Sequence, residues 1–398
     1  MLRKGLPLES ALDGATRELD RADDRAFAHA IAAETLRRLT DLDALIDSAT
    51  KKRLPDDAKA RFALRIALAQ AFALGTPPHA AISTVLPLVE GGPRRLVHGV
   101  FGTLMRTGPS VPREPTLPEP VAARWRAAWG EEVVTAAARL MTMPPPVDLI
   151  GEPPRDLDGV SLMPGHLRLA RRAPIAGLPG YAGGKWWVQD ISASMPARLL
   201  GPGDGRTALD LCAAPGGKTM QLAAAGFDVT AVDISQSRLA RLSDNLARTG
   251  LEAKLVAADV MVWAPSAPVD AILLDAPCSA TGTFRRHPDV LHRVRPQAIA
   301  ALAEAQKAML LRAADWLKPG GTLVYSVCSL EPEEGERVAE HFLAARADFA
   351  LAGPPPPELP AALGRAAPGW IRILPGALAE AGGADSFFIA RFVRNKRG

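Results

Sequence analysis

From residue 207 onward the apolar positions fall in short, almost unbroken runs: TALDLC, DVTAVDI, AKLVAADV, DAILLDAP and TLVYSVCSL. Between them, residues 221–225, 237–249 and 299–316 carry apolar side chains at helical spacing. Strands without a polar face cannot lie against water, so the alternation predicts a mostly parallel sheet covered by helices on both faces, a doubly wound α/β domain. SFFIARFVR reads as its last strand, and the prolines at 354–357 as a surface loop. The chain before residue 140 has the other period. Phe27, Ile31, Thr35 and Leu39 step by four after Asp23 and Asp24; a second helix is predicted over 57–74, and Leu96, Val100 and Leu104 mark a third. Prolines punctuate 109–120 and stand together at Pro144, Pro145 and Pro146, which are boundary signals. Between these, Trp125 and Trp129 share one helical face and read as packing rather than as a base-stacking platform. The organisation expected is a helical domain over 1–135, a linker or small subdomain over 136–200, and a catalytic α/β domain over 201–398.

Composition narrows the class. With 398 residues, 48% hydrophobic and 23% charged, the chain can bury the cores of two or three globular domains. No run approaches the roughly 18 apolar residues that span a membrane. The start has no secretory core, and three cysteines in this length make no disulfide framework. A cytoplasmic protein is expected, with a monomer favoured. A net charge of +4 is compatible with a polyanionic partner without identifying one. Arg285, Arg286, His287, His292, Arg293 and Arg295 crowd one short segment, which charge alone would leave as a solvated face.

The chemistry concentrates at the ends of the strands. DLCAAPGGKT follows the first run and leads into a helix, so Cys212, Ala213, Ala214, Pro215, Gly216, Gly217 and Lys218 form a loop able to approach a nucleotide closely. It is not the phosphate-binding P-loop, because Cys212 stands where that pattern's first glycine belongs. The lack of a GxGxxG loop argues against a nicotinamide-dependent oxidoreductase. Asp233 closes the second run, Asp259 the third and Asp275 the fourth, all on the carboxyl edge where such sheets bind ligands. Cys278, in DAPCSATG, and Cys328, in YSVCSL, lie just past the fourth and fifth strands on that same edge. Without a CxxC pair or a ligand cluster, no metal is expected. Thiols beside a nucleoside crevice suit one reaction well. Carbon 5 of cytosine is too electron-poor to attack a methyl sulfonium, but a thiolate that adds to carbon 6 makes carbon 5 nucleophilic. Spacing alone does not decide which cysteine attacks.

Taken in order, DLCAAPGGKT, AVDIS, AADV, LLDAPCSATGTFRRHPDV and YSVCSLEPEEGE resemble the Nop/Sun family of RNA 5-methylcytosine methyltransferases. GLPGYAGGKWWVQDISASMPARLL resembles the family's lead-in, and DSFFIARFVR its last strand. The helical region, through segments such as FAHAIAAETLRRL, is similar to the NusB-like RNA-binding domain of the bacterial RsmB-type 16S rRNA enzymes. The resemblance implies a class I, Rossmann-like methyltransferase domain preceded by an all-α NusB-like domain, with S-adenosylmethionine as cofactor and RNA as partner. It also implies roles: 212–218 around the cofactor's methionine and ribose, Asp233 on the ribose hydroxyls, Asp259 on the adenine, and Asp275 near both methyl donor and base. Cys328 would be the nucleophile, with Cys278 assisting product release. Within that frame Arg285, Arg286, His287 and Arg293 become expected phosphate contacts, with Arg394, Lys396 and Arg397 as further contacts or a frayed tail. The target base must be unstacked, so a single-stranded or looped RNA site is expected. The same chemistry on tRNA and a non-catalytic RNA-binding assembly factor are the alternatives. Two departures stand out: Val327 where the family commonly has Thr, and Ser386 where it often has Gly.

Overall fold

Apolar residues three and four apart need a shared core, and in the computed structural model they find it in a unit made of Met1–Pro144 together with Phe284–Arg293. The structure describes residues 1–3, 5–171, 173–353, 359–367 and 369–396; the prolines 354–357 and Arg397 lie outside the described residues. The first unit contains α1 (Leu8–Ala15), α2 (Ala22–Arg37), α3 (Leu39–Ser48), α4 (Lys59–Phe72), α5 (Pro78–Val85), α6 (Gly91–Thr107), α7 (Glu119–Trp129) and α8 (Glu131–Leu140). Leu42 and Ile46 of α3, Leu64 and Leu68 of α4, Val85 of α5, and Val97, Phe101 and Leu104 of α6 form one cluster. The step of four through Phe27 and Leu39 does not describe a single helix. The chain turns at Arg38, whose ψ of 16° ends α2, and Phe27 is left exposed while Ala33 and Leu36 are buried. Trp125 is buried with its ring centroid 5.4 Å from that of Phe284, so it packs, as expected.

The second unit is Pro145–Thr283 with Val294–Gly398. It opens with an antiparallel sheet of β1 (Asp148–Gly151), β2 (Gly159–Val160), β3 (His166–Leu169) and β4 (Trp186–Val188), in the order β2-β3-β1-β4. These strands of two to four residues are too short to show a period. Asp148 holds the sheet in place: Arg168 donates to both its oxygens at 2.7 and 2.9 Å and the Ile191 amide donates at 3.0 Å.

The large sheet contains β5 (Thr207–Leu211), β6 (Asp228–Asp233), β7 (Lys254–Ala257), β8 (Val269–Asp275), β9 (Leu317–Val327), β10 (Phe349–Leu351), β11 (Arg365–Ala367), β12 (Trp370–Ile373) and β13 (Phe387–Arg394). Its order is β11-β12-β13-β9-β8-β5-β6-β7, with β10 on β13. The strands from β7 to β9 are parallel, as the apolar runs predicted; β13 joins β9 antiparallel, and β12, β11 and β10 continue in that sense. Along β8, Ala271 and Leu273 enter one core and Ile272 and Leu274 the other. Helices α9 (Ile191–Arg198), α10 (Gly217–Ala224) and α11 (Gln236–Thr249) cover the first face through Met195, Met220 and Leu242. Helices α12 (Pro296–Asp315) and α13 (Glu336–Ala345) cover the second through Leu310 and Phe342. The chain order reverses between β5 and β8, which opens a crevice beyond their carboxyl ends. Among the described residues, no helix is long and apolar enough to cross a membrane.

Candidate active site

The loop 212–216 leaves β5 with Cys212 at a positive φ of 62° and turns at Gly216, φ 105°. A side chain at Gly216 would begin 2.7 Å from the Leu242 Cγ of α11, so packing and backbone conformation both require glycine there. The Ala214 amide donates to Asp233 Oδ2 at 3.1 Å and the Ser235 amide to Oδ1 at 2.9 Å, so the acid ending β6 organises the loop of β5. Asp259 sits two residues beyond β7 rather than on its last position, and takes the Met261 amide at 2.8 Å. Ile234 and Val262, beside these two acids, are 71% and 79% exposed. Large apolar side chains held in water next to strand-end carboxylates suit a ligand with a flat apolar ring and a hydroxylated sugar. The residues fit a nucleoside.

The reactive groups lie across the crevice. β8 and β9 are parallel neighbours with Asp275 opposite Ser326, so the chains leaving them bring Cys278 and Cys328 together, their sulfurs 3.5 Å apart. Lys218 Nζ donates to Asp275 Oδ2 at 2.7 Å and Ser326 Oγ to Oδ1 at 2.8 Å. Burial pulls the Lys218 ammonium down, but Asp275, Asp210 and Cys328 together hold it above its ordinary value. Its Nζ also lies 5.6 Å from the Phe387 ring centroid. Burial, with Asp275, Asp233 and Asp210 around it, pushes the Cys212 thiol up to about 12, so this third cysteine stays protonated. The bond to Cys328, burial and the nearby Glu334 raise Cys278 well above an ordinary thiol.

A buried polar knot behind the two cysteines escaped the sequence reading. Glu334, with no exposed surface, accepts from the Ser279 amide at 2.8 Å, from Gln306 Nε2 at 3.1 Å, from Ser329 Oγ at 2.5 Å and from Ser279 Oγ. Thr281 Oγ1 accepts from the Leu330 amide, and Gly282 exchanges backbone bonds with Cys328 and Ser386. Glu334 is one of four acids in EPEEGE, of which Glu331 is also buried, and nothing in that spacing marks it as the one bonded behind the cysteines. The available signal was that each edge cysteine is followed by a serine.

The basic segment is built into the fold. It belongs to the helical unit: Phe284, Val290 and Leu291 are buried, and the short helix Val290–Arg293 places His292 Nε2 2.7 Å from the Leu36 carbonyl. Arg285 is 1% exposed, and Arg293 is paired with the buried Asp289 at 2.9 Å. Arg286 and His287 are half-buried. Apolar residues interleaved among the cations make this a packing segment, in which the Arg285 side chain is buried. Arg394 is likewise committed, to Asp348 at 3.1 Å and the Leu317 carbonyl. The exposed cationic face of the helical unit lies on α6, where Arg94, Arg95, His98 and Arg106 stand opposite the buried Val97, Val100, Phe101 and Leu104. No acidic residue occurs between Glu90 and Glu114.

Comparison with known proteins agrees in both units. The model of the family described as 16S rRNA methyltransferase RsmB/F matches residues 197–393, and that of the NusB family matches residues 2–93. Ribosomal RNA small subunit methyltransferase B of Xylella fastidiosa (strain Temecula1) is 36% identical, over 98% of this chain and 95% of that one. The protein of the same name from Klebsiella pneumoniae subsp. pneumoniae is 34% identical, over 100% and 96%. Among solved structures, NSun6 from Pyrococcus horikoshii with SFG shares the fold, with a TM-score of 0.60 at 20% identity, covering 71% of this chain and 99% of that one.

Proposed function

Because the chain belongs to the RsmB/F family of 16S rRNA methyltransferases, we propose that it methylates carbon 5 of a cytidine in RNA, with 16S rRNA as the substrate and Cys328 as the nucleophile. The observation that carries this reading is the 3.5 Å separation of the Cys278 and Cys328 sulfurs beside the Lys218–Asp275 pair. S-adenosylmethionine supplies an electrophilic methyl group; the loop 212–218 would hold it, with Asp233 on its ribose and Asp259 on its adenine.

Cys328, as thiolate, adds to carbon 6 of the base: the sulfur–carbon bond forms and the ring becomes an enamine with its electron density at carbon 5. Asp275, paired with Lys218, accepts from the exocyclic amine of cytosine, while the ammonium donates toward the ring edge that gains charge during the addition. Once carbon 5 carries the methyl group its C–H bond breaks, the proton passes to solvent, and the electron pair re-forms the carbon 5–carbon 6 double bond. The carbon 6–sulfur bond breaks, Cys328 Sγ leaves with the electron pair as thiolate, and the Cys278 thiol donates a hydrogen bond to it. The bonds from Ala214 and Ser235 to Asp233, and from Ser326 and Lys218 to Asp275, fix these carboxylates before any ligand arrives, which lowers the reorganisation demanded of them. The NusB-like unit contacts RNA phosphates through the cationic face of α6, and the target base is unstacked to enter the crevice.

Two variants test the assignment. Cys328→Ala should abolish methylation of rRNA while leaving S-adenosylhomocysteine binding intact, and retained turnover would reassign the nucleophile. Cys278→Ala should accumulate a protein–RNA adduct that survives denaturing electrophoresis; an adduct on the Cys328 variant instead would reverse the two roles.

A further inference from the structure

We propose that Glu334 is the positioning residue that makes the two cysteines unequal: its buried carboxylate, locked behind the Cys278 loop, keeps negative charge beside Cys278 and leaves Cys328, beside the Lys218 ammonium, as the sulfur that carries charge. This deepens the reading above and rests on it.

The geometry begins with a chemical near-identity. Each thiol is partly exposed, each is followed by a serine, and they touch one another, so nothing in the pair itself decides which becomes a thiolate. Their surroundings do. Glu334 receives four hydrogen bonds; burial raises its pKa above the ordinary value, and the bonds from Ser279, Ser329 and Gln306 pull it back toward the ionised form, which only accepts. The Gln306 amide shows that this orientation is imposed. Its Nε2 must face the Pro277 carbonyl at 2.8 Å, which cannot donate, and its Oε1 faces the Tyr325 hydroxyl at 3.1 Å; the same Nε2 therefore points at Glu334. Gln306, Ser279 and Ser329 come from α12, the loop after β8 and the loop after β9, so the carboxylate is fixed from three segments.

The titratable groups facing Cys278 are Cys328, Glu334 and the Tyr325 hydroxyl, none of them a cation, while the Ala280 amide works in the other direction. The group with a charge of opposite sign is Lys218, and it couples to Cys328. The same carboxylate also ties the two loops together. Ser279 and Ser329, each adjacent to its cysteine, both donate to Glu334 Oε2, and Arg372 Nη1 donates to the Ser329 carbonyl at 2.6 Å. Glu334 has no exposed surface and its carboxylate is bonded to Ser279, Ser329 and Gln306, so its effect passes through the thiols.

The test uses alkylation of the full chain by iodoacetamide, with the peptides carrying Cys278 and Cys328 quantified by mass across the pH range around the ordinary thiol pKa of about 8.5. In the unaltered protein Cys328 should react before Cys278 at each pH. Glu334→Gln keeps the size and an acceptor for the Ser279 amide but removes the charge, and should speed the reaction of Cys278 by about tenfold or more near neutral pH, the effect of about one unit on a thiolate fraction. Glu334→Asp should return Cys278 toward its slow rate, which a purely structural role would not do. Cys278 reacting first in the unaltered protein, or an unchanged Cys278 rate in Glu334→Gln with S-adenosylhomocysteine binding retained, overturns the proposal. If Glu334→Gln does not fold, the order of reaction in the unaltered chain still decides. No RNA enters this assay. Methylation surviving in Cys328→Ala would therefore remove the reaction scheme alone, whereas an unchanged Cys278 rate would remove the role of Glu334 alone.

Discussion

Asp210 lies inside β5 with no exposed surface, and one of its oxygens, Oδ1, is without a hydrogen-bond partner. Thr219 Oγ1 donates to the other at 2.5 Å. Burial, reinforced by Asp275 and Asp233 and opposed by Thr219 and Lys218, raises its pKa from 3.8 to about 7. The folded chain thus holds this proton more tightly than the unfolded one. The stability it contributes is complete below about pH 4 and is lost as the pH climbs through about 7. Asp210→Asn has no proton to lose, so its melting temperature should decline less than that of the unaltered protein between those limits. Parallel slopes in thermal unfolding would show that Asp210 does not titrate there. Single residues were legible in the sequence where chemistry and position coincide: Asp275, Cys278 and Cys328 were placed on one edge because each closes or follows an apolar run. Glu334 was not, because the burial of an acid depends on donors contributed by distant segments, here Ser279 and Gln306.

Among elements, the parallel strands were readable because burial on both faces leaves no polar positions, whereas β1 to β4 were too short to show any pattern. The antiparallel β13 was seen as a strand, but its sense relative to β9 is set by the connection between them, which has no periodic signal. The segment 285–295 shows the converse: its charges concealed the apolar spacing of Phe284, Val290 and Leu291. Two outcomes belong at this scale. Charge reversal on α6, Arg94→Glu with Arg95→Glu, should weaken RNA binding for all sequences alike. It should also flatten the dependence of log Kd on log salt by about 0.7–0.9 per lost phosphate contact, measured by fluorescence anisotropy; an unchanged slope would take α6 out of the interface. Gly282 has ordinary space demands only in glycine form, since a Cβ there would sit 2.1 Å from the Ser386 carbonyl oxygen and 3.0 Å from that of Cys328. Gly282→Ala should therefore cost about 1–3 kcal/mol by thermal unfolding, because backbone on both sides must move.

At the scale of the whole chain, the helical unit is not a continuous stretch of sequence. It takes in Phe284–Arg293, which follows directly on the loop bearing Cys278 and Gly282. The sequence could not show this, since nothing marks a boundary at Thr283 or Val294. A chain beginning at Pro145 would expose Phe284, Val290 and Leu291, each worth about 1.5–3 kcal/mol when buried. It should melt lower and aggregate more readily than the full protein, and equal solubility and melting temperature would show that the segment finds other cover.

That discontinuity also fixes an order of events during synthesis. When residue 144 emerges from the ribosome, Trp125 still lacks Phe284, and the Leu36 carbonyl lacks His292, 256 positions downstream. The nascent helical unit must wait, with that surface uncovered, while the chain of eight strands, β1 to β8, is translated. Its maturation is thereby tied to the appearance of the segment just after the first edge cysteine, so a ribosome that stalls before residue 284 releases neither unit in finished form.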